Sequence, residues 1–446
     1  MKRISNYLTM LLFGAFAVTA FTACSDDDND GGNSGTGDMD RENPTITNQW
    51  SGIQSQMWEV ANQYVNAVVY PTYKNLANSA DELYQSAVEM QEKYTAGQLT
   101  DNDVAETCEK FKAAREYWEK SEAFLFGAAT DFNIDPHMDS WPLDQGQMAS
   151  FLSNQTMIDG LYSSDPIAFV NQNNANFDTA LGFHGIEFVL FRNGAPRPAA
   201  AYDGIEDHSS FANVSVECRH ELAFLVAVAG DVRDNCYRLE VSWCGLQANT
   251  AHMARVTELG VMTHALDNNG FYYGADMLLA GLDGSSYASI NDALVTVVGP
   301  SGCGNIANEV ASQKIGQAYR VATGAPSLDP NEPDAIDYIE SPYSKRSYID
   351  YRDNIYSIKN SLYGNIDQSS ANSNSVMTLL RNNGYEGVDD LQAALDDAIN
   401  KLTICVNSGI AFVDDPGAQQ AGDAMEAVDN LNDELEAASQ WISRQY

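Results

Sequence analysis

The chain has 446 residues, of which 44% are apolar and 19% are charged, and its formal net charge is −38. A surface this acidic repels nucleic acid and anionic lipid and concentrates cations, so we expect no nucleic-acid partner. Solubility alone would also account for the charge.

The chain begins with the pattern of a signal peptide. A short basic start, residues 1–3, precedes an apolar run from Tyr7 to Ala23 that is shorter than the roughly 20 apolar residues of a membrane-crossing helix. Residues 21–24 resemble a lipobox in which Phe takes the place of the more usual Leu. We therefore predict that residues 1–23 are removed and that Cys24 is lipidated, which would anchor the chain in a membrane. The alternative is an ordinary secretory signal with a coincidental cysteine.

Residues 24–45 are predicted to form an acidic, flexible tether. Ser and Asp follow Cys24 directly, and the next residues are mainly Gly, Asn, Ser and Thr, which cannot bury a core. The Ser-and-Asp run resembles the export signal that takes lipoproteins to the outer face of the outer membrane, although a plain solvated spacer has the same composition. We expect an outer-membrane lipoprotein exposed on the cell surface.

Beyond the tether, the apolar spacing predicts an all-α protein. Apolar residues recur every three or four positions over residues 83–94, which keeps one stripe facing inward. Two near-heptad stripes, at residues 388–402 and 428–442, are typical of helices in bundles. The β-branched run at residues 295–298 suits either a strand or the continuation of a helix.

Two irregular stretches rich in Pro, Gly and Asp, at residues 192–209 and 323–332, interrupt the helical pattern. We place a domain boundary at the first of them. This predicts an N-terminal helical bundle domain over residues 46–205 and a C-terminal one over residues 206–446, each large enough for its own core.

Six cysteines remain if Cys24 is lipidated. They are Cys108, Cys218, Cys236, Cys244, Cys303 and Cys405. An oxidising compartment permits disulfides, but small buried thiols are an equally good interpretation in helical surroundings, and both stay open.

The residues with metal-binding chemistry lie in the first half of the chain. His184 and Glu187 are three positions apart, so one helix face can present an imidazole nitrogen and a carboxylate to the same ion. Such a pair alone is more often a structural hydrogen bond. Glu119 and Glu122 repeat the spacing among aromatic residues, although they could equally form a solvated helix face. Asp139 follows in a proline-rich turn, where Asp commonly caps a helix.

In this order, the motifs resemble those of the imelysin-like family. The segments that carry the resemblance are residues 70–73, 114–118, 126–127, 139–142 and 182–187 (the hexapeptide GFHGIE) in the first half, and residues 340–344, Ser347, Asp350, Asn354 and residues 363–364 in the second. They span nearly the whole mature chain, and their combined order is far more specific than any single motif.

The resemblance implies two helical bundle-like domains with a functional cleft between them and a role in bacterial iron acquisition. It implies a metal site made of Glu119, Glu122, Asp139, His184 and Glu187. Further residues expected to face the same cleft are Ser140, Trp141, Glu340, Ser341 and Ser344.

Four carboxylates and one imidazole form a hard donor set, which suits iron better than copper(I) or a structural zinc ion. A single histidine does not provide the two-His, one-carboxylate arrangement of iron oxygenases, so we expect carriage of iron rather than oxygen activation. The sequence thus predicts a surface lipoprotein that binds a metal ion, iron foremost, and passes it to an outer-membrane uptake partner.

Two other classes of function compete with this prediction. The family takes its name from a protein described as a protease, but zinc peptidases need two histidines and a glutamate in a compact motif. Phe188 follows Glu187 where the inverted motif needs His, and Phe224 ends the forward motif that begins at His220. We therefore expect no peptidase activity. An adhesion or glycan-binding module would use exposed aromatic residues, and helical packing explains most of the 22 tyrosines and 6 tryptophans.

Replacing Cys24 with Ser should leave the protein exported but release it from the membrane fraction, because the acyl anchor is the only strong membrane contact that the sequence offers. Fractionation followed by a high-salt wash measures this. A Cys24→Ser variant that stays fully membrane-bound would contradict the lipoprotein prediction.

Overall fold

Helices make up most of the structure, and the all-α prediction is confirmed. The computed structural model describes residues 40–445. Its helices are α1 (Gly52–Tyr64), α2 (Tyr70–Thr95), α3 (Asp101–Glu119), α4 (Ala128–Asp131), α5 (Ile134–Met138), α6 (Gln145–Ser153), α7 (Gln155–Leu161), α8 (Pro166–Gln172), α9 (Asn174–Phe177), α10 (Gly182–Leu190), α11 (Arg219–Cys244), α12 (Thr250–Leu259), α13 (Tyr273–Leu278), α14 (Ile290–Val298), α15 (Cys303–Glu309), α16 (Gly316–Thr323), α17 (Ser347–Tyr363), α18 (Val376–Asn382), α19 (Val388–Asn407) and α20 (Gln419–Ser443).

Shorter elements connect these helices. Two π-helical turns, Val65–Val69 and Val310–Ile315, join α1 to α2 and α15 to α16. The short 3-10 turns are Glu122–Phe124, Asp178–Ala180, Ala199–Asp203, Ser209–Phe211 and Gly245–Gln247. Strands β1 (Phe191–Arg192) and β2 (Ala195–Pro196) pair antiparallel, with Phe191 opposite Pro196, directly after α10.

A first group of helices forms around α2, which packs against both α3 and α11. The fully buried face of α2 includes Tyr73, Leu76 and Leu83, whose spacing of three and seven residues keeps them on one side of the helix. Helix α3 begins with a reciprocal capping box, in which Thr100 and Asp103 each bond the other's backbone N–H. This cap fixes the start of the helix that carries Glu119 at its other end.

A second group is built around α19 and α20. The two stripes predicted from the sequence bury their leucines completely, with Leu391 and Leu395 in α19 and Leu431 and Leu435 in α20. Helix α17 packs against α19, and α14, α15 and the second π-helical turn pack against α20. Burial of these stripes is the main stabilising interaction of this part of the chain.

The two groups meet where α17 packs against α3. Helix α11 follows the predicted boundary near residue 205, yet its most extensive packing is against α2, which precedes that boundary. The division into domains 46–205 and 206–446 therefore stays a prediction. The contact between α3 and α17 brings the predicted site residues of the two halves together.

Several further predictions can be compared with the structure. Residues 295–298 continue α14, so the helical alternative is correct there. The six cysteines from Cys108 to Cys405 are all buried and free. Within residues 40–445, no helix is both long and apolar enough to cross a membrane. The predicted signal peptide, Cys24 and most of the predicted tether lie outside the described residues.

Replacing Leu431 with Ala should lower the free energy of unfolding by about 2–5 kcal/mol, because it opens a cavity in the fully buried contact of α20. Denaturant titration of the purified chain measures the loss. Asn430→Ala is the matched control, since Asn430 is the exposed neighbour in the same helix and should change stability by less than about 0.5 kcal/mol. Equal losses in the two variants would contradict the assigned helix face.

Candidate metal centre

Helix α10 brings His184 and Glu187 into the interior. Gly182 begins the helix with a φ of +63°, and a Cβ at this position would overlap the backbone carbonyl of Met138. Only glycine permits this close approach to the residue just before Asp139. His184 Nδ1 lies 3.4 Å from Glu187 Oε2, so the predicted pairing on one helix face is present, and both side chains are buried.

Asp139 lies at the C-terminal end of α5, directly after the residue that contacts Gly182. Its Oδ1 lies 3.1 Å from His184 Nε2, and its Oδ2 accepts a hydrogen bond of 2.8 Å from the indole N–H of Trp118. The guanidinium of Arg115 donates to Asp139 as well. Asp139 therefore joins α3, α5 and α10 at one point rather than only capping a helix.

Glu119 and Glu122 are both buried, so the alternative of a solvated helix face is wrong. They also do not share one helix, because α3 ends at Glu119 and Glu122 begins a separate 3-10 turn. Glu119 Oε1 pairs with Arg115 at 2.6 Å, and its Oε2 accepts a hydrogen bond of 2.5 Å from the amide of Asn354 on α17. The turn after α3 thus directs both carboxylates toward the same interior region.

The second half of the chain supplies Glu340 and Ser344. Glu340 is fully buried and pairs with Arg115 Nη2 at 2.5 Å. The backbone N–H and the hydroxyl of Ser344 both donate to Glu187 Oε1, at 2.7 and 2.6 Å. Arg115 in the first half of the chain therefore holds the carboxylate of Glu340 in the second half, and Ser344 in the second half holds the carboxylate of Glu187 in the first.

The other expected cleft residues lie around this centre. Ser341 donates to Asp350 Oδ2 at 2.6 Å, so it contacts a neighbouring acid rather than a residue of the predicted metal site. The hydroxyl of Ser140 donates to the Pro136 carbonyl rather than into the centre. The ring of Trp141 is half-buried, and its centroid lies 5.6 Å from the ammonium of Lys314, at the edge of the cluster.

Two sets of donor atoms are close enough to hold one metal ion. Asp139, His184 and Glu340 form one set, and Glu119, Glu122 and Asp139 form the other; within each set the ligand atoms lie within 4.8 Å of one another. The five residues predicted from the sequence thus lie in one buried region, with Glu187 attached through His184. Glu340, which the sequence placed only in the cleft, belongs to a donor set.

Sequence reasoning missed the two buried cations. Arg115 lies within a recognised motif but was not expected in the site, and its guanidinium contacts Glu119, Asp139 and Glu340. Lys314, which belongs to none of the motifs, pairs with Glu340 Oε2 at 3.1 Å. Its position on a π-helical turn gives no period in the sequence that would have revealed it.

Burial and charge shift the titration of these groups in opposite directions. Burial raises the pKa of Glu119 and of Glu122 well above the ordinary value, although Arg115 and Lys314 respectively lower it in part. For Asp139, burial also acts to raise the pKa, but Arg115 and His184 outweigh it and hold the pKa well below its usual range. Burial alone would lower the pKa of His184, yet its hydrogen bonds to Asp139 and Glu187 raise it to about 9.

A separate group elsewhere in the chain also has metal-ligand atoms within 4.8 Å of one another, namely Glu206, Cys218 and Glu221. Here two arginines balance the two carboxylates, because Arg192 pairs with Glu206 at 2.8 Å and Arg197 pairs with Glu221 at 2.7 Å. With its charge already neutralised, this group has no need of a metal ion, and it serves to fix the β1–β2 hairpin to α11.

The comparison with known proteins agrees with this architecture. The chain belongs to the imelysin family, whose model matches residues 69–438. It is 26% identical over 291 residues to iron-regulated protein A of Synechococcus elongatus, an alignment that covers 65% of this chain and 60% of that protein. The chain therefore spans less than two thirds of the length of this relative.

Two solved structures share the fold. One is described as an iron-regulated protein A precursor from Parabacteroides distasonis, with a TM-score of 0.64 at 24% identity over 88% of this chain and 96% of that one. The other is an imelysin-like protein from Psychrobacter arcticum, with a TM-score of 0.50 at 14% identity over 90% and 96% of the two chains.

Replacing Arg115 with Met should lower the free energy of unfolding by about 3–5 kcal/mol at neutral pH, because three buried carboxylates lose their shared partner. The loss should shrink in acid, where protonation removes the unpaired charges. Denaturant titrations at pH 7 and pH 5 measure both effects. The control is Arg381→Met, an exposed pair with Asp389, for which at most about 1 kcal/mol is expected. A loss at Arg115 no larger than this would contradict the central role of its guanidinium.

Proposed function

We propose that this chain binds a hard metal ion, iron foremost, at the centre formed by Glu119, Glu122, Asp139, His184 and Glu340, and that it serves bacterial iron uptake as a lipid-anchored surface protein. The observation that carries the proposal is an excess of buried carboxyl groups over buried cations around donor atoms that lie close enough to share one ion.

The excess follows from the composition of the centre. Its buried cations are Arg115 and Lys314, and its buried carboxylates are Glu119, Glu122, Asp139, Glu187, Glu340 and Asp350. Burying a carboxylate without a counter-charge is costly, and burial accordingly raises the pKa of Glu119 and of Glu122, which creates a demand for positive charge. A bound metal ion meets that demand without protonating the ligands.

The donor chemistry favours iron or another hard cation. The two donor sets contain carboxylate oxygens and one imidazole nitrogen, and no thiol belongs to either of them. Oxygen-rich sites of this kind suit hard ions, and one nitrogen ligand is compatible with iron. The name of the Synechococcus relative, iron-regulated protein A, supports iron as the ion carried.

The arrangement supports carriage rather than peptide hydrolysis. Among the described histidines, His184 alone contributes a nitrogen to the candidate donor sets at this centre, whereas zinc peptidases use two. His220, the start of the other near-motif, contacts Tyr162 instead, with its Nδ1 3.1 Å from the phenol oxygen.

We propose that the membrane location is provided by Cys24 and that a partner in the outer membrane receives the ion.

The purified mature chain should bind ferrous iron with an affinity that falls as the pH falls. With the pKa of His184 at about 9 in the metal-free protein, the imidazole is protonated at neutral pH, so the metal must displace a proton. Burial also raises the pKa of Glu119 and of Glu122, so the affinity should drop by at least about tenfold per pH unit below that value. Weakening should already be visible at neutral pH rather than only below about 6.5. Calorimetric titration without oxygen at pH 7.5 and pH 6 measures this.

In the same titration, His184→Ala and Glu187→Ala should each weaken binding by about 10- to 100-fold. His220→Ala is the matched control, because it removes a histidine outside the centre and should leave the affinity unchanged. If the double variant of His184 and Glu187 binds iron as tightly as the parent, the centre is structural and the proposed function is wrong.

A further inference from the structure

Lys314 is, beside Arg115, the second buried cation in a region rich in buried carboxylates. Its side chain is 1% exposed, and it lies on the π-helical turn Val310–Ile315, a conformation that often occurs at functional sites. The phenol of Tyr351 on α17 donates to the Lys314 carbonyl at 3.1 Å, which fixes the turn against the second helix group. The backbone that carries this side chain is thus held in place.

More carboxylates face this ammonium than one positive charge can neutralise. Lys314 Nζ lies 3.2 and 3.1 Å from the two oxygens of Glu340 and 3.9 Å from Glu119 Oε2. The carboxylates of Glu122 and Glu309 make no hydrogen bond or ion pair within the part of the chain that the structure describes. Helix α15, which ends at Glu309, packs against the turn that begins at Glu122.

The electrostatics agree with this placement. Burial would lower the pKa of Lys314, but the surrounding carboxylates raise it well above its usual value, and the residues responsible are Glu122, Glu340, Glu119 and Glu309. Lys314 occupies the side of the centre that also contains Glu122 and Glu309.

The same position conflicts with a bound metal ion. Glu340 is the residue that Lys314 neutralises, and Glu340 is also a member of the donor set with Asp139 and His184. Glu119, the second neighbour of the ammonium, belongs to the other donor set. An ion coordinated by either set would lie within a few ångströms of Lys314 Nζ, and two positive charges at that distance repel strongly in a buried site.

We propose that Lys314 is a built-in competitor for the metal ion: its ammonium neutralises Glu340 and Glu119 in the metal-free protein and gives up these contacts when the ion binds. This inference rests on the proposed function. The lysine keeps the empty centre stable and lowers its affinity, so that only strongly binding ions are retained. It therefore sets the affinity of the site.

Removing the charge tests this directly. Lys314→Met should bind ferrous iron at least tenfold more tightly than the parent in calorimetric titration without oxygen, and its affinity for Mg²⁺, a weaker competitor, should rise as well. Lys314→Arg retains the charge and should bind no more tightly than the parent. Lys120→Met is the matched control, because Lys120 is the neighbour of Glu119 in sequence but pairs outside the centre with Glu116 and Asp367. It should leave the affinity unchanged.

The metal-free Lys314→Met variant is expected to be less stable than the parent, since several buried acids lose their counter-charge. If it folds poorly, thermal unfolding with and without iron replaces the titration, and iron should raise its midpoint by more than it raises that of the parent. Equal or weaker binding by Lys314→Met, or an equal or smaller rise of the midpoint, would overturn the inference. Absence of iron binding by both the parent chain and Lys314→Met instead refutes the proposed function, and the inference fails with it. Binding by Lys314→Met alone supports the competition.

Discussion

The guanidinium of Arg115 is the interaction on which the rest of the centre depends. It contacts Glu119 on its own helix, Asp139 after α5 and Glu340 from the second half of the chain. Without a buried cation at this point, the three carboxylates could not be brought together in a water-excluded interior. Arg115 lies on α3, which packs against α17. The close approach of α10 to Met138 places His184 beside Asp139, which Arg115 contacts.

The centre combines opposite requirements. Under the proposed function, its acids must be numerous enough to attract a cation, yet the protein must fold before the cation arrives. Arg115 and Lys314 reconcile the two by neutralising part of the charge, and hydrogen bonds from Ser344 and Asn354 hold Glu187 and Glu119 in place. Family membership and the solved folds describe the scaffold, whereas the balance of charge inside it provides the argument for a metal ion.

Much of this could be predicted from the sequence, because periodicity and motif order are local signals. The helical stripes ending at Leu402 and Ile442 are buried as expected, and the pairing of His184 with Glu187 follows from their spacing. That α3 ends at Glu119, before Glu122, could not be predicted, because the end of the helix depends on how the following turn packs. Lys314 was also missed, because a lysine within a helical sequence reads as a surface residue until tertiary packing buries it.

The near-complete burial of the donor side chains has a kinetic consequence. His184 is 2% exposed, and Glu119, Glu187 and Glu340 are 0% exposed. Water and chelators reach such atoms only when the surrounding helices and loops separate, so the rate at which an ion enters or leaves is set by protein motion rather than by diffusion. An ion bound there would dissociate slowly. A partner protein that separates the two helix groups would then control the rate of its release.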